Sequence, residues 1–227
     1  MSKMLDYGRT FNLWRDSAPK SWDGYVNHRF VIGLSDGTLP RKEFLNYLRQ
    51  DYVFLEKFAR AWALAVVKAL DLEEMKAAVT IVNALIHDEM QLHVKFCRSN
   101  GIDELELSRT EEAPANLAYT RYVLETGYTG SFLDLMAALA PCVFGYGEIG
   151  RQLAQKSTND TYIDWISTYS SSEYQELCGT VGSLIDRAVS LRLGEQAHKT
   201  PIWIELCEKF KIATKLEINF WEMGKNL

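Results

Sequence analysis

Apolar residues recur at intervals of three and four along almost every long segment of this 227-residue chain, and no stretch alternates strictly as a half-buried strand does. That period commits the chain to amphipathic helices, so the fold class is all-α. The pattern predicts helices over 8–17, 21–34, 40–70, 73–99, 113–127, 130–155, 160–169, 172–193 and 200–224. Three of the five prolines, Pro40, Pro114 and Pro201, stand where a helix should begin, a position whose backbone N–H has no intrahelical partner to lose. The connections are short and polar, as in Ser35-Asp36-Gly37-Thr38 and Ser99-Asn100-Gly101-Ile102-Asp103. With no Pro/Ser-rich linker, low-complexity run or internal repeat, the expected organisation is one helical domain over 1–227.

Composition narrows the function classes. A chain of this length that is 47% hydrophobic buries a sizeable core, which excludes a disordered segment. Lys and Arg total 25 against 30 Asp and Glu, leaving no basic footprint for a phosphate backbone, so nucleic acid is not an expected partner. The longest uncharged stretch, Leu135 to Gly147, falls short of the ~18 apolar residues that a membrane helix needs. The N-terminus lacks the basic-then-apolar pattern of a signal peptide, and the expected location is the cytoplasm. Cys97, Cys142, Cys178 and Cys207 stand far apart, which fits reduced thiols better than a disulfide framework or a zinc cluster.

The informative residues are polar ones in columns that should be core, because burying an unpaired charge is costly. Over 40–70 the core column reads Phe44, Tyr47, Leu48, Asp51, Phe54, Leu55, Phe58, Trp62, which points Asp51 inward. It is either a hydrogen-bonding partner for a neighbouring helix or part of a site. The last helix runs Phe210, Ala213, Glu217, Phe220, Trp221. Glu217 is either a carboxyl whose pKa desolvation raises into general-acid range, or an edge residue pairing with Lys211 or Lys215. Over 73–99, Val82, Leu85, Ile86, Glu89, His93 and Phe96 share a face. Glu89 and His93 there form half a metal site or, more simply, a satisfied core pair; a di-iron bundle needs paired Glu-x-x-His motifs, and His28, His87 and His198 supply no second one.

The segment Ala140-Pro141-Cys142-Val143-Phe144-Gly145-Tyr146-Gly147-Glu148-Ile149-Gly150 matches a dinucleotide-binding Gly-x-Gly-x-x-Gly only formally, since no strand precedes it. Pro141 inside an apolar helical run should kink the helix and leave Cys142 near unpaired amides that favour its thiolate, with Tyr146 one turn on. The alternative is a small buried cysteine at a packing kink.

Taken in order and spacing, several segments resemble the TenA family, the thiaminase II or aminopyrimidine aminohydrolase group of the heme-oxygenase-like helical fold. They are Asn27-His28-Arg29-Phe30-Val31, with Arg29 where proline is common, Gly37-Thr38-Leu39-Pro40, Gln50-Asp51-Tyr52-Val53-Phe54-Leu55, Ala118-Tyr119, Pro141-Cys142, Trp165-Ile166-Ser167-Thr168-Tyr169 and Glu217-Ile218-Asn219-Phe220-Trp221. The resemblance implies hydrolysis of 4-amino-5-aminomethyl-2-methylpyrimidine, or of thiamin, to the hydroxymethylpyrimidine, without metal or cofactor, by a homotetramer. It implies Cys142 as nucleophile, Glu217 as acid/base and Asp51 as acceptor for the 4-amino group. Tyr47, Phe54, Tyr119, Tyr146 and Tyr169 would line the pocket. Phe54 departs from the family, where tyrosine is common and its hydroxyl reaches the cysteine or substrate. Two alternatives stay open: a di-iron or heme oxidase of the same fold, and a regulator that binds the pyrimidine without turning it over.

Overall fold

The computed structural model describes residues 6–225, and among these no strand occurs. The first five residues, part of the segment read above for a leader pattern, lie outside it. The helices are α1 (Arg9–Ser17), α2 (Pro19–Val26), α3 (Arg29–Asp36), α4 (Arg41–Lys68), α5 (Leu72–Ala84), α6 (Met90–Ser99), α7 (Glu104–Ser108), α8 (Pro114–Thr129), α9 (Phe132–Lys156), α10 (Ile163–Ser170), α11 (Ser172–Leu193) and α12 (Pro201–Glu222). Pro114 and Pro201 begin α8 and α12 as expected, and Pro40 caps α4.

Three departures from the sequence pattern have local causes. The stretch 21–34 is two helices, because His28 takes an extended backbone and its Nδ1 accepts from the Phe30 N–H at 3.2 Å, starting α3 afresh. Histidine is not a usual N-cap, so periodicity carries the pattern straight across the break. Glu104–Ser108, expected as loop, forms the short helix α7 because Asp103 caps the Glu106 N–H at 2.8 Å.

The third departure lies between α5 and α6, where Leu85–Glu89 forms one turn of π-helix. A π turn inserts one residue and rotates everything after it. The buried positions run Ala78 and Ile81 before the turn, Leu85 at its start, and His93, Val94, Cys97 after it. Ile86, expected on the core face, is instead 47% exposed.

The chain divides into two compact units: residues up to Leu39 with Met136–Ile218, and Pro40–Leu135 with the residues from Asn219 on. In the first, α11 packs against α1 and α10, around an aromatic core in which Phe11 lies 4.3 Å from Phe144 and Trp22 stacks on Phe210. In the second, α4 is the central helix and packs against α5, α6 and α8. Every residue of its expected column is buried.

The helix α9 runs uninterrupted through Pro141. Pro141 removes a donor, so the group it leaves without its usual partner is a carbonyl acceptor and not the amides expected to favour a Cys142 thiolate. Helix α9 is also long and apolar enough to cross a membrane, contrary to the reading of its uncharged stretch alone, and 83% of its most apolar window is buried in the structure. Its glycines serve close packing. A Cβ at Gly145 would strike the Tyr25 ring, one at Gly147 would lie 2.7 Å from Cys178 Sγ, and one at Gly150 would meet the Tyr169 backbone.

Candidate active site

The unit built on α4 holds the first group of expected site residues. Asp51 is 3% exposed and takes the Tyr47 hydroxyl on Oδ2 at 3.3 Å. Both sit on one face of α4, one turn apart, so the helix itself sets this contact. The same Oδ2 faces His93 Nδ1 from α6 at 3.4 Å, while His93 Nε2 lies 2.8 Å from the Leu48 carbonyl oxygen. Asp51 Oδ1 accepts no hydrogen bond from the described residues. Burial pushes the Asp51 carboxyl up to about 7 against the lowering effect of Tyr47. Burial also pulls His93 down to about 4. Glu89 is driven up to about 8, by desolvation first and then by the Asp51 charge.

The Glu89–His93 core pair expected from the sequence does not form: no hydrogen bond or ion pair joins them, and both His93 nitrogens face α4 instead. The π turn at Leu85–Glu89 breaks the one-turn register on which that expectation rested. Among the described residues, no group of three or more His, Cys, Asp or Glu side chains could hold a metal ion.

Around Asp51 the lining is aromatic. Phe54 lies 5.0 Å from Tyr119, 5.3 Å from Phe220 and 5.3 Å from Phe58, and Tyr47 lies 5.4 Å from Trp221. Tyr119 is fully buried. A flat ring would meet large apolar faces here, with Asp51 as the directed polar group.

The other unit holds Cys142, Tyr146, Tyr169 and Glu217. Cys142 is a free thiol on α9 with part of its surface accessible, unlike Cys178, which is fully buried and contacts the Val143 carbonyl at 3.5 Å. Tyr146, one turn beyond Cys142, packs on Tyr169 with ring centroids 4.8 Å apart, and Trp165 closes on Tyr169 at 4.6 Å. Gln175 fastens this cluster by donating to the Tyr169 and Gly147 carbonyls at 2.9 and 3.0 Å, and its own carbonyl accepts from Tyr7 at 2.6 Å. Glu217 is 1% exposed on α12, so it is no edge residue, and Lys211 pairs with Glu208 at 2.9 Å.

Sequence reasoning missed His93 as the partner of Asp51 and Gln175 as the fastening of the tyrosine cluster. Nothing in their local spacing announces either role. A solved structure from Silicibacter sp. TM1040, described as a TenA family transcription regulator, superimposes with a TM-score of 0.96 and 53% identity over 97% of this chain and 98% of that one. The aminopyrimidine aminohydrolase of Halalkalibacterium halodurans is 35% identical over 93% of each chain. A Shewanella denitrificans domain of unknown function, described as having a heme oxygenase-like fold, shares only 14% identity but a TM-score of 0.63 over 98% of this chain and 93% of that one, a likeness of fold alone. The family model for TENA/THI-4/PQQC proteins matches residues 15–226, and the chain belongs to that family.

Proposed function

We propose that this protein is an aminopyrimidine aminohydrolase of thiamin salvage, converting 4-amino-5-aminomethyl-2-methylpyrimidine and water to the hydroxymethylpyrimidine and ammonia. The observation that carries this reading is the pair of buried carboxyls, Asp51 and Glu217, each 3% exposed or less in an aromatic column, in a chain with a partly accessible Cys142. Burying a carboxyl among rings costs several kcal/mol unless hydrogen bonds offset it, so both positions are places where the chain holds a polar group in a defined direction. The aminopyrimidine aminohydrolase similarity over 93% of the chain supplies the matching chemistry.

In this scheme Asp51 accepts the 4-amino N–H and the tyrosines and Phe54 sandwich the ring. The Cys142 thiolate forms a C–S bond to a ring carbon while Glu217 gives its proton to a ring nitrogen. The electron pair then moves out through the exocyclic CH₂ and expels the amino group, bound there as an ammonium, as ammonia. Water adds to the CH₂ and its proton returns to the Glu217 carboxylate; the C–S pair goes back to sulfur as the ring nitrogen gives its proton to solvent. Dividing one displacement by a poor leaving group into addition and expulsion is what a covalent nucleophile contributes. Positioned acid catalysis adds about 10²- to 10⁴-fold.

The reading treats the chain as one functional domain acting in the cytoplasm as a homotetramer, without metal or cofactor. The test is ammonia release from the aminomethylpyrimidine compared with cleavage of thiamin, for the parent and for Cys142→Ser. The expected result is turnover that Cys142→Ser abolishes while pyrimidine binding and fold persist. Near-normal turnover by that variant overturns the nucleophile. Pyrimidine binding with no turnover by the parent favours instead a regulator, the description given to the Silicibacter structure.

A further inference from the structure

His93 and Asp51 lie on different helices of one unit and are 42 residues apart in sequence, and both are at least nine-tenths buried. The Leu48 carbonyl can only accept, so the 2.8 Å contact fixes the hydrogen on His93 Nε2. A neutral imidazole protonated at Nε2 presents a lone pair at Nδ1, and this is the nitrogen 3.4 Å from Asp51 Oδ2. Two bare acceptors do not sit at that distance in a buried site without a proton between them. Oδ1 of the same carboxyl accepts no hydrogen bond from the described residues.

We propose that His93 is the positioning residue of Asp51: the pair holds one proton, resting on Oδ2 in the free protein and moving to Nδ1 when an aminopyrimidine's amino group donates to Oδ1. The O–H bond of Asp51 breaks and the Nδ1–H bond of His93 forms, with no proton exchanged with solvent. The carboxylate so created is balanced by the imidazolium beside it and by the ligand's N–H. This rests on the reading of Asp51 as the acceptor for the 4-amino group.

The other groups that face the pair are few. Tyr47 donates to the same Oδ2 from one turn away on α4. The Glu89 carboxyl is disfavoured as an anion by burial and by Asp51. The Cys97 thiol is pushed up to about 12 by burial and by Asp51, with Arg49 acting in the opposite sense. Glu89 and Cys97 therefore remain protonated across most of the range in which Asp51, near 7, and His93, near 4, would each titrate.

Two measurements on the full-length protein test this. The first is the ring ¹⁵N spectrum of its four histidines, with His93 identified by its loss in His93→Gln. From pH 5 to 6.5 the free protein should show His93 neutral with the hydrogen on Nε2, and saturating hydroxymethylpyrimidine should convert Nδ1 to the protonated form. A free-protein imidazolium, or hydrogen on Nδ1, overturns the shared proton.

The second is calorimetric Kd for hydroxymethylpyrimidine in the parent and His93→Gln from pH 7 to 5. The ratio of the two values cancels the ligand's own titration. Without His93, Asp51 must lose its proton to solvent, so the ratio should rise about tenfold per pH unit as pH falls. A ratio that is constant with pH, whatever its size, reduces His93 to a structural role and overturns the proposal. If the parent does not bind the pyrimidine at all, the functional reading and the ligand-driven transfer fall together, while the free-protein spectrum still decides the pair.

Discussion

Replacing Asp51 with asparagine should stabilise the protein at neutral and alkaline pH while removing its activity. The folded-state carboxyl titrates near 7 instead of its ordinary 3.8, because burial disfavours the anion. A raised carboxyl pKa means the folded state holds its proton more tightly than the unfolded one, so stability is full below about 4 and falls as pH rises toward 7. At about 1.4 kcal/mol per pH unit, the ionised state at pH 8 carries a cost on the order of 4 kcal/mol. Asparagine carries none of it. Its amide oxygen can still accept from Tyr47, and its NH₂ can donate to His93 Nδ1. Urea unfolding of both proteins at pH 5 and pH 8 measures the effect. The advantage of Asp51→Asn should grow between the two by about 2 to 3 kcal/mol. If Asp51→Asn is instead less stable at pH 8 than at pH 5, relative to the parent, the carboxyl forms a favourable ion pair with a protonated His93 and the desolvation argument fails.

For Glu217→Gln, the turnover number should fall about 10²- to 10⁴-fold with the pyrimidine Kd little changed, and the pH–rate profile should lose one limb; a profile equal to the parent's would sink the acid/base role. Phe54→Tyr should raise turnover by up to about tenfold if a hydroxyl there reaches the cysteine or substrate, the size of one ordinary hydrogen bond. An unchanged or lower rate removes any significance of that departure. Gly150→Ala should destabilise by about 1 to 3 kcal/mol, although alanine is the better helix former, because the added Cβ would lie 2.8 Å from the Ser170 nitrogen on a backbone that cannot move aside. A higher Tm for that variant would show that the close approach is slack.

The burial of the candidate carboxyls was legible because periodicity reports burial one turn at a time. Asp51 stands in a column of eight residues and Glu217 in one of five, and all of them are buried. A carboxyl between aromatics at helical spacing has nowhere to point but inward, whatever the helix packs against. The same rule failed over 73–99, where it pairs Glu89 with His93. It assumes 3.6 residues per turn throughout, and one π turn at Leu85–Glu89 rotates His93 away from that pairing. It also failed at His28, where a single side-chain-to-backbone bond splits one expected helix into α2 and α3. The three glycines of α9 match a nucleotide motif in letters, but what they share is neighbours that leave no room for a Cβ.

The sequence by itself determined that the chain is helical, where most helices begin, and that Asp51 and Glu217 point inward, because these depend on neighbours within a turn. Tertiary structure alone decided that His93 meets Asp51 and the Leu48 carbonyl, that Gln175 ties the Tyr169 cluster down, and that Gly150 must remain bare. Those contacts depend on how one helix lies against another. The position of a side chain reaching across from a different helix is fixed by packing that no local spacing encodes.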